Sequence, residues 1–315
     1  MFRILGFLIL ALFMTGPSFA QEARTLQKLS DHVYAYVGVK NASPSANSFG
    51  ANSGVVIGKD AVLVVDTLVS AKEAEALRAD IKKLTGTPIK YVVNTHYHLD
   101  HAWGNSVFVK DGAVVIGHEN SRLSGSKNIS ALEHAGDFGL TPQDMEGTVL
   151  ELPTVTFQDA MRVDLGGGVA VDLSYPGPTH TNGSITAFVP GDRVLFLGDI
   201  LFKYYYPYIG EGDVPSWVKV LSDLEKTPAK IIVPGHGPLS TVSDIKEMKA
   251  YLKDFDVLAK RLCRGKKRDD ASAVAAELLK QLPNQGRTEL PFLVEENLRD
   301  KYLPPAVAST SVDRR

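Results

Sequence analysis

A single cysteine, Cys263, stands in 315 residues, so no intrachain disulfide can form and the fold must hold without covalent staples even in an oxidising compartment. Cys263 lies in a helical pattern between Arg261 and Arg264 with no histidine near it in sequence, the setting of a packed small residue rather than a nucleophile. Charge of one sign is lacking as well. Against 34 Lys and Arg there are 36 Asp and Glu, which leaves neither a broad basic face for nucleic acid nor an acidic disordered tail. Long apolar runs are absent beyond residue 20, so nothing there reads as a membrane span. The start is different: MFRILGFLILALFMTGPSFAQEA carries Arg3, an apolar run from Ile4 to Met14, and Ser18, Phe19 and Ala20. That is the pattern of a secretory signal peptide cleaved after Ala20. The expected mature chain is soluble, periplasmic or secreted, and free of stable membrane insertion.

What remains is enough for one large domain with an appendage. Two stretches share a pattern. In SGVVIGKDAVLVVDT two apolar runs flank a turn at Gly58-Lys59-Asp60 and end at Asp66; in SITAFVPGDRVLFLGDI the turn is Pro190-Gly191-Asp192 and the run ends at Asp199. Both read as hairpins whose second strand is buried on both faces and delivers a carboxylate at its end. The equal glycine-to-aspartate spacing points to two similar halves. Between the hairpins, AKEAEALRADIKKL has helical periodicity, IKYVVNT and AVVIGH read as strands, and 119–145 reads as an irregular polar insertion of the kind that forms a lid or cleft wall. GVAVDLSYP follows as a strand, PSWVKVLSDLEKT as a helix and KIIVPGHGP as a strand running into a turn. From Val242 onward, successive amphipathic patterns predict helices packed on the domain, and the stretch after Pro305 is expected to fray. The expected organisation is a signal peptide over 1–20, an α/β layered catalytic domain over 21–241 and a helical C-terminal extension over 242–315.

The chemistry concentrates in NTHYHLDHAWGN, residues 94–105, which holds three of only eight histidines and an aspartate within six positions. His96 and His98 stand two apart at the end of a strand, so the side-chain period of two points both imidazoles to one side. Asp100 and His101 follow where the chain turns and reach the same region from another direction. Imidazole and carboxylate are ligands that zinc accepts when no thiolate is offered. His180 in YPGPTHTNGS, Asp199 at the end of the second hairpin and His236 in VPGHGP each follow an apolar run and stand at a Gly- or Pro-containing turn. An α/β scaffold presents reactive groups at one edge of its sheets in this way. Five histidines and two aspartates suffice for two metals a few ångströms apart, with one carboxylate free to bridge.

This ordered set, HxHxDH at 96–101 followed by His180, Asp199 and His236, resembles the metallo-β-lactamase superfamily over roughly residues 30–240. The resemblance implies an αββα sandwich with a dinuclear site at one edge of two sheets. It implies His96, His98 and His180 on a first metal, Asp100, His101 and His236 on a second, and Asp199 bridging. Asp66 matches a family aspartate that supports the metal-binding loop from behind. Many zinc β-lactamases of this superfamily carry a cysteine where Asp199 stands; a bridging aspartate is typical of glyoxalase II-like thioesterases and lactonases. The expected cofactor is zinc, two ions per chain, and the expected partner is a small-molecule substrate. The expected reaction is attack by metal-bound hydroxide on a carbonyl ester, thioester, lactone or β-lactam, with Asp100 passing a proton to the leaving group. Two alternatives stand beside it: a single-iron sulfur dioxygenase of the same superfamily, and a non-catalytic periplasmic accessory protein of a redox system.

Other residues bear on the site less directly. Tyr204, Tyr205 and Tyr206 in KYYYPYIGEGD directly follow the strand that bears Asp199 and are candidate substrate contacts, as is Asn182 after His180, where Asn182 and Ser184 also suit loop hydrogen bonds. His118 is expected to cap a helix beginning near Glu119, His134 to be a solvated loop residue and His32 a surface residue ahead of the first strand. Gly166-Gly167-Gly168 lacks the following Lys of a phosphate loop and reads as a turn.

Overall fold

The computed structural model describes residues 24–126 and 128–303. The expected signal peptide with its cleavage point, and the tail after Pro305, lie outside the described residues. Among the described residues no helix is long and apolar enough to cross a membrane.

Two sheets carry the fold, each with its strands in chain order. The first comprises β1 (Gln27–Lys28), β2 (Val33–Tyr36), β3 (Ser53–Ile57), β4 (Val62–Val65), β5 (Ile89–Val93), β6 (Val114–His118) and β7 (Val155–Phe157). β1 to β4 form an antiparallel meander, and β4 to β7 run parallel. The second comprises β8 (Ala160–Asp164), β9 (Ala170–Ser174), β10 (Thr186–Val189), β11 (Val194–Phe202) and β12 (Ile231–His236), antiparallel except for the last pair.

The expected hairpins are β3–β4, with Gly54 opposite Val65, and β10–β11, with Ala187 opposite Phe196. Their second strands are fully buried because each packs on both faces. In β4, Leu63 and Val65 turn toward the second sheet while Val62 and Val64 meet the helices Ala71–Leu84 and Asn105–Lys110. In β11, Val194 and Phe196 enter the layer between the sheets, and Leu195 and Leu197 face the helices Val214–Leu224 and Val242–Leu262. The strand period of two thus sorts one continuous apolar run into two cores, giving an αββα sandwich.

The helices start where side chains satisfy their first amides. Ser70 accepts from the Glu73 amide, and Thr241 with Asp244 forms a capping box at the head of Val242–Leu262. That helix and Ala271–Gln281 share one apolar cluster with β11 through Ile245, Met248, Phe255 and Leu278, so the C-terminal helices complete the outer layer. Cys263 is buried in this cluster.

Three local expectations differ from the structure. The 119–145 segment is not irregular but forms the helices Glu119–Gly125 and Asn128–Glu133 and a 3-10 turn, Ala135–Phe138. It shows no apolar stripe because Leu123 and Ile129 stay exposed, while Ala135 and Leu140 anchor it against Val69 and Trp103. β11 does not stop at Asp199 but continues to Phe202 past an irregularity at Gly198. His32 lies between β1 and β2, since a two-residue strand has no periodicity to read; it is half-exposed and faces Asp192.

Candidate metal centre

Five chain segments meet at one edge of the two sheets, and four of them supply candidate ligands. Asp66 follows β4 and stands behind the others, β5 runs into 96–101, the loop after β9 brings His180, β11 carries Asp199, and β12 ends at His236. His96, His98, His180 and Asp199 form one group and Asp100, His101 and His236 a second, the ligand atoms within each lying within 4.8 Å of one another. The Asp199 carboxylate joins them. Its Oδ2 is 3.2 Å from His180 Nε2 and 3.8 Å from His96 Nε2, while its Oδ1 is 3.2 Å from His101 Nε2 and 3.4 Å from His236 Nε2.

Hydrogen bonds behind the rings decide which nitrogen each presents. The Tyr208 carbonyl can only accept, so His180 Nδ1, 2.9 Å away, must donate and Nε2 keeps its lone pair. Asp66 accepts from the Thr95 amide and hydroxyl, both at 2.7 Å, and from His101 Nδ1 at 2.8 Å. With its hydroxyl hydrogen spent on Asp66, Thr95 Oγ1 accepts from His96 Nδ1 at 3.1 Å. One buried carboxylate therefore sets the tautomers of two rings. Asp66 itself holds φ +59, a left-handed backbone that costs a non-glycine residue about 1 kcal/mol, secured by the Ser53 hydroxyl on its carbonyl.

The two expected hairpins meet here in a specific way. Their aspartates, Asp66 and Asp199, face opposite nitrogens of the same His101 ring. Asn94 and Asn105, which bracket the histidine segment, bond side chain to side chain at 2.8 and 3.0 Å, and Asn94 also donates to the His101 carbonyl. Gly235 lets β12 approach Asp199; a Cβ there would stand 1.9 Å from Oδ1.

Burial pushes His96 well below the usual imidazole range and His180 down to about 4, against the pull of Asp199. It works against charge on His101 and His236 too, yet there the carboxylates win: Asp100, Asp199 and Asp66 hold His101 well above that range, and Asp199 and Asp100 bring His236 to about 9. Four surrounding imidazoles overcome burial at Asp199 and hold it well below the usual carboxylate range. Asp66, wholly enclosed, is pushed up by burial and drawn back by His101 and Thr95.

The donor set fits divalent cations of borderline softness. His96 Nε2 is buried without a hydrogen-bond partner, an arrangement that costs about 1–3 kcal/mol unless a cation meets it. The side chains of Asp100 and His98 remain 14% and 19% exposed while His96, His101 and His180 are fully enclosed, so the centre opens to solvent past Asp100 and His98.

The remaining candidates are dispersed. Tyr205 is buried with its ring 5.2 Å from that of His236 and its hydroxyl on the Val39 carbonyl. Tyr206 packs on Tyr251, and Tyr204 is 46% exposed beside Lys203. Asn182 accepts from Asn120, Ser124 and Tyr175 and so ties its loop to the helix Glu119–Gly125. His118 accepts from the Asn120 amide as a helix cap and stacks on Tyr175; His134 is exposed. Gly166 to Gly168 form the β8–β9 turn. Three neighbours of the centre carry no sequence signal of their own: Thr95, Tyr208, and Glu211, whose carboxylate is 3.6 Å from His98 Nε2 and accepts from Tyr97.

The metallo-β-lactamase from Pontibacter korlensis superposes with a TM-score of 0.60 over 73% of this chain and 99% of its own, at 22% identity. The DIM-1 metallo-β-lactamase does so with a TM-score of 0.56, over 73% and 97% respectively, at 20% identity. By sequence the chain is 25% identical over 182 residues to the 2,4-dinitroanisole O-demethylase subunit alpha of a Nocardioides species, covering 57% of this chain and 50% of that one. It is 26% identical over 229 residues to the linear primary-alkylsulfatase of a Pseudomonas species, covering 62% and 43%. The chain spans about half the length of these two relatives. Residues 47–236, more than half of the chain, match the model of the metallo-beta-lactamase superfamily, and the chain belongs to that superfamily.

Proposed function

We propose that the chain is an exported, dinuclear zinc-dependent hydrolase that cleaves a carbonyl ester, thioester, lactone or β-lactam bond in a small-molecule substrate. The observation that carries this reading is the Asp199 carboxylate, whose two oxygens each face a separate group of imidazoles. His96, His98 and His180 would hold one ion and Asp100, His101 and His236 the other, with Asp199 between them. A zinc pair, when bound, supplies an activated water near neutral pH and a positive field that polarises a carbonyl oxygen.

The chain's own residues do the rest. Asp66, Thr95 and the Tyr208 carbonyl keep three imidazoles in the tautomer that presents Nε2 inward, so the site is organised before substrate arrives. Asp100 lies 3.3 Å from His236 Nε2 and is partly open to solvent, a position from which its carboxylate can take a proton and return it to a departing group. Asp100 and Asp199 offset only part of the charge of two divalent ions, which favours substrates bearing a carboxylate or a polarised carbonyl.

The test is metal content per chain followed by an activity panel on the zinc-loaded protein: a chromogenic cephalosporin, acyl thioesters, lactones and phosphodiesters, with an alkyl sulfate and a nitroaryl ether added on the strength of the two relatives. Two zinc ions and turnover of at least one carbonyl class are expected, with a loss of about a hundredfold or more in Asp100→Ala and in His180→Ala. A single iron, one inert zinc, or near-normal turnover in both variants would overturn the reading.

A further inference from the structure

The loop 203–213 leaves β11 and ends at the helix Val214–Leu224, passing beside the first donor group. It belongs to neither sheet, yet it reaches two of the four donors there. The Tyr208 carbonyl accepts from His180 Nδ1, and the Glu211 carboxylate faces His98 Nε2. What holds the loop comes from the far end of the chain. Asn297, at the end of the helix Leu293–Asn297, is fully buried; its Oδ1 accepts from the Ile209 amide and its Nδ2 donates to the Pro207 carbonyl at 2.8 Å. Asp300 accepts from the Tyr208 hydroxyl at 2.9 Å, and Lys301 donates to the Gly212 carbonyl.

The geometry of one peptide plane makes Asn297 specific. The Ile209 N–H and the Tyr208 C=O belong to the same planar trans unit and point in opposite directions. One end is gripped by Asn297 and the other accepts from His180. Rotation of this plane would break both bonds together, and each bond polarises the other. A buried amide that served packing alone would carry a desolvation cost an apolar side chain avoids.

We propose that Asn297 is a positioning residue for the first metal group: through the 208–209 peptide it fixes the ring of His180, and with Asp300 and Lys301 it makes the C-terminal helices part of the metal centre. The inference rests on the metal reading given under Proposed function. It is tested on the full-length protein by titrating zinc against a chromogenic chelator, which resolves two stepwise constants; His180→Ala identifies the constant that belongs to the first group. Asn297→Ala is expected to weaken the first group by about 10- to 100-fold, the range for removing an outer partner of a ligand, and to leave the Asp100, His101 and His236 group within about threefold. Asn297→Asp, which retains the acceptor for the Ile209 amide, should keep most of the first-group affinity. A purely structural role would lower the melting temperature and weaken both groups alike. If Asn297→Ala does not fold, Asp300→Ala, which cuts the outer tether of Tyr208 together with a surface ion pair to Arg268, is read in the same titration with an expected loss of about threefold in the first group. An unchanged first constant in the variant read, or equal losses at both groups, overturns the inference while two tight zinc ions in the wild type leave the proposed function standing. A wild type that binds no zinc overturns both.

Discussion

At the level of single residues, the centre depends as much on what is absent from a position as on its donors. Gly235 illustrates this. Strand β12 must pass close behind Asp199 for His236 to reach the second group, and a methyl on residue 235 would lie 1.9 Å from Asp199 Oδ1 and against the backbone at Gly198 and Asp199. The carboxylate cannot yield freely, since both oxygens face imidazoles. Gly235→Ala is therefore expected to displace the bridging carboxylate, with loss of at least one zinc per chain after a chelator wash. Turnover should fall about a hundredfold, the scale of a removed electrostatic catalyst, and stability by about 1–3 kcal/mol from overpacking. Metal analysis that still finds two tightly held ions would refute this account of the glycine. Its neighbour Gly198 is constrained for a second reason, at φ +48 with a Cβ position 2.4 Å from the Thr95 hydroxyl.

Among the elements, those readable from sequence were the ones with a strong period: the two hairpins, the helix Ala71–Leu84, the strands flanking 94–105 and the long C-terminal helices. The seven His and Asp side chains that gather at the centre stood out in sequence; strand geometry aims His96 and His98 just after β5 and Asp199 and His236 within their strands, whereas Asp100 and His101 stand on the helical turn Leu99–Ala102 and His180 in a loop. The partners behind them were not. Tyr208 acts through its backbone carbonyl, which any residue possesses, and Asn297 sits 88 positions from the Ile209 amide it accepts from. Thr95 gains its role only because Asp66 folds over it from another strand end. The C-terminal helices, expected from their amphipathic patterns to pack on the domain, have apolar faces continuous with the core: Ile245, Met248, Leu252 and Phe255 are fully buried against a cluster that includes Leu197, Leu201 and Trp217. Cutting the chain after residue 241 would expose that surface as one contiguous apolar patch. The truncated protein is expected to be insoluble or aggregated by size-exclusion chromatography. A monodisperse fragment with wild-type zinc content would show that the helices are dispensable.

For the whole molecule, 34 basic and 36 acidic side chains nearly cancel, so stability near neutral pH is governed by the few groups whose protonation folding shifts. Those at the centre divide by metal group. His96 and His180 are pushed below the imidazole range and are already neutral at pH 6.5, and Asp199 and Asp100 are held below the carboxylate range and already ionised. His236, at about 9 against 6.5 in the unfolded chain, and His101, held well above 6.5, keep their protons in the metal-free protein. A raised value contributes stability that is complete below the unfolded value and is lost as pH climbs through the folded one. The metal-free protein should thus lose the His236 contribution between pH 6.5 and about 9, and the His101 contribution as pH climbs through its own raised value. On the proposed dinuclear reading, zinc would have to displace the same protons from the second group, so its apparent affinity there should rise about tenfold per pH unit for each proton displaced. His96 and His180 in the first group have no proton to shed, so binding there should change less. Melting curves of chelator-treated and zinc-loaded protein at pH 6.5 and pH 8.5 measure both effects together. The gap between the two melting temperatures is expected to widen at the higher pH, and the widening should shrink in His236→Ala, which leaves only the His101 proton. A gap that stays constant or narrows in the wild type would mean that Asp100 and Asp199 do not hold those imidazoles protonated.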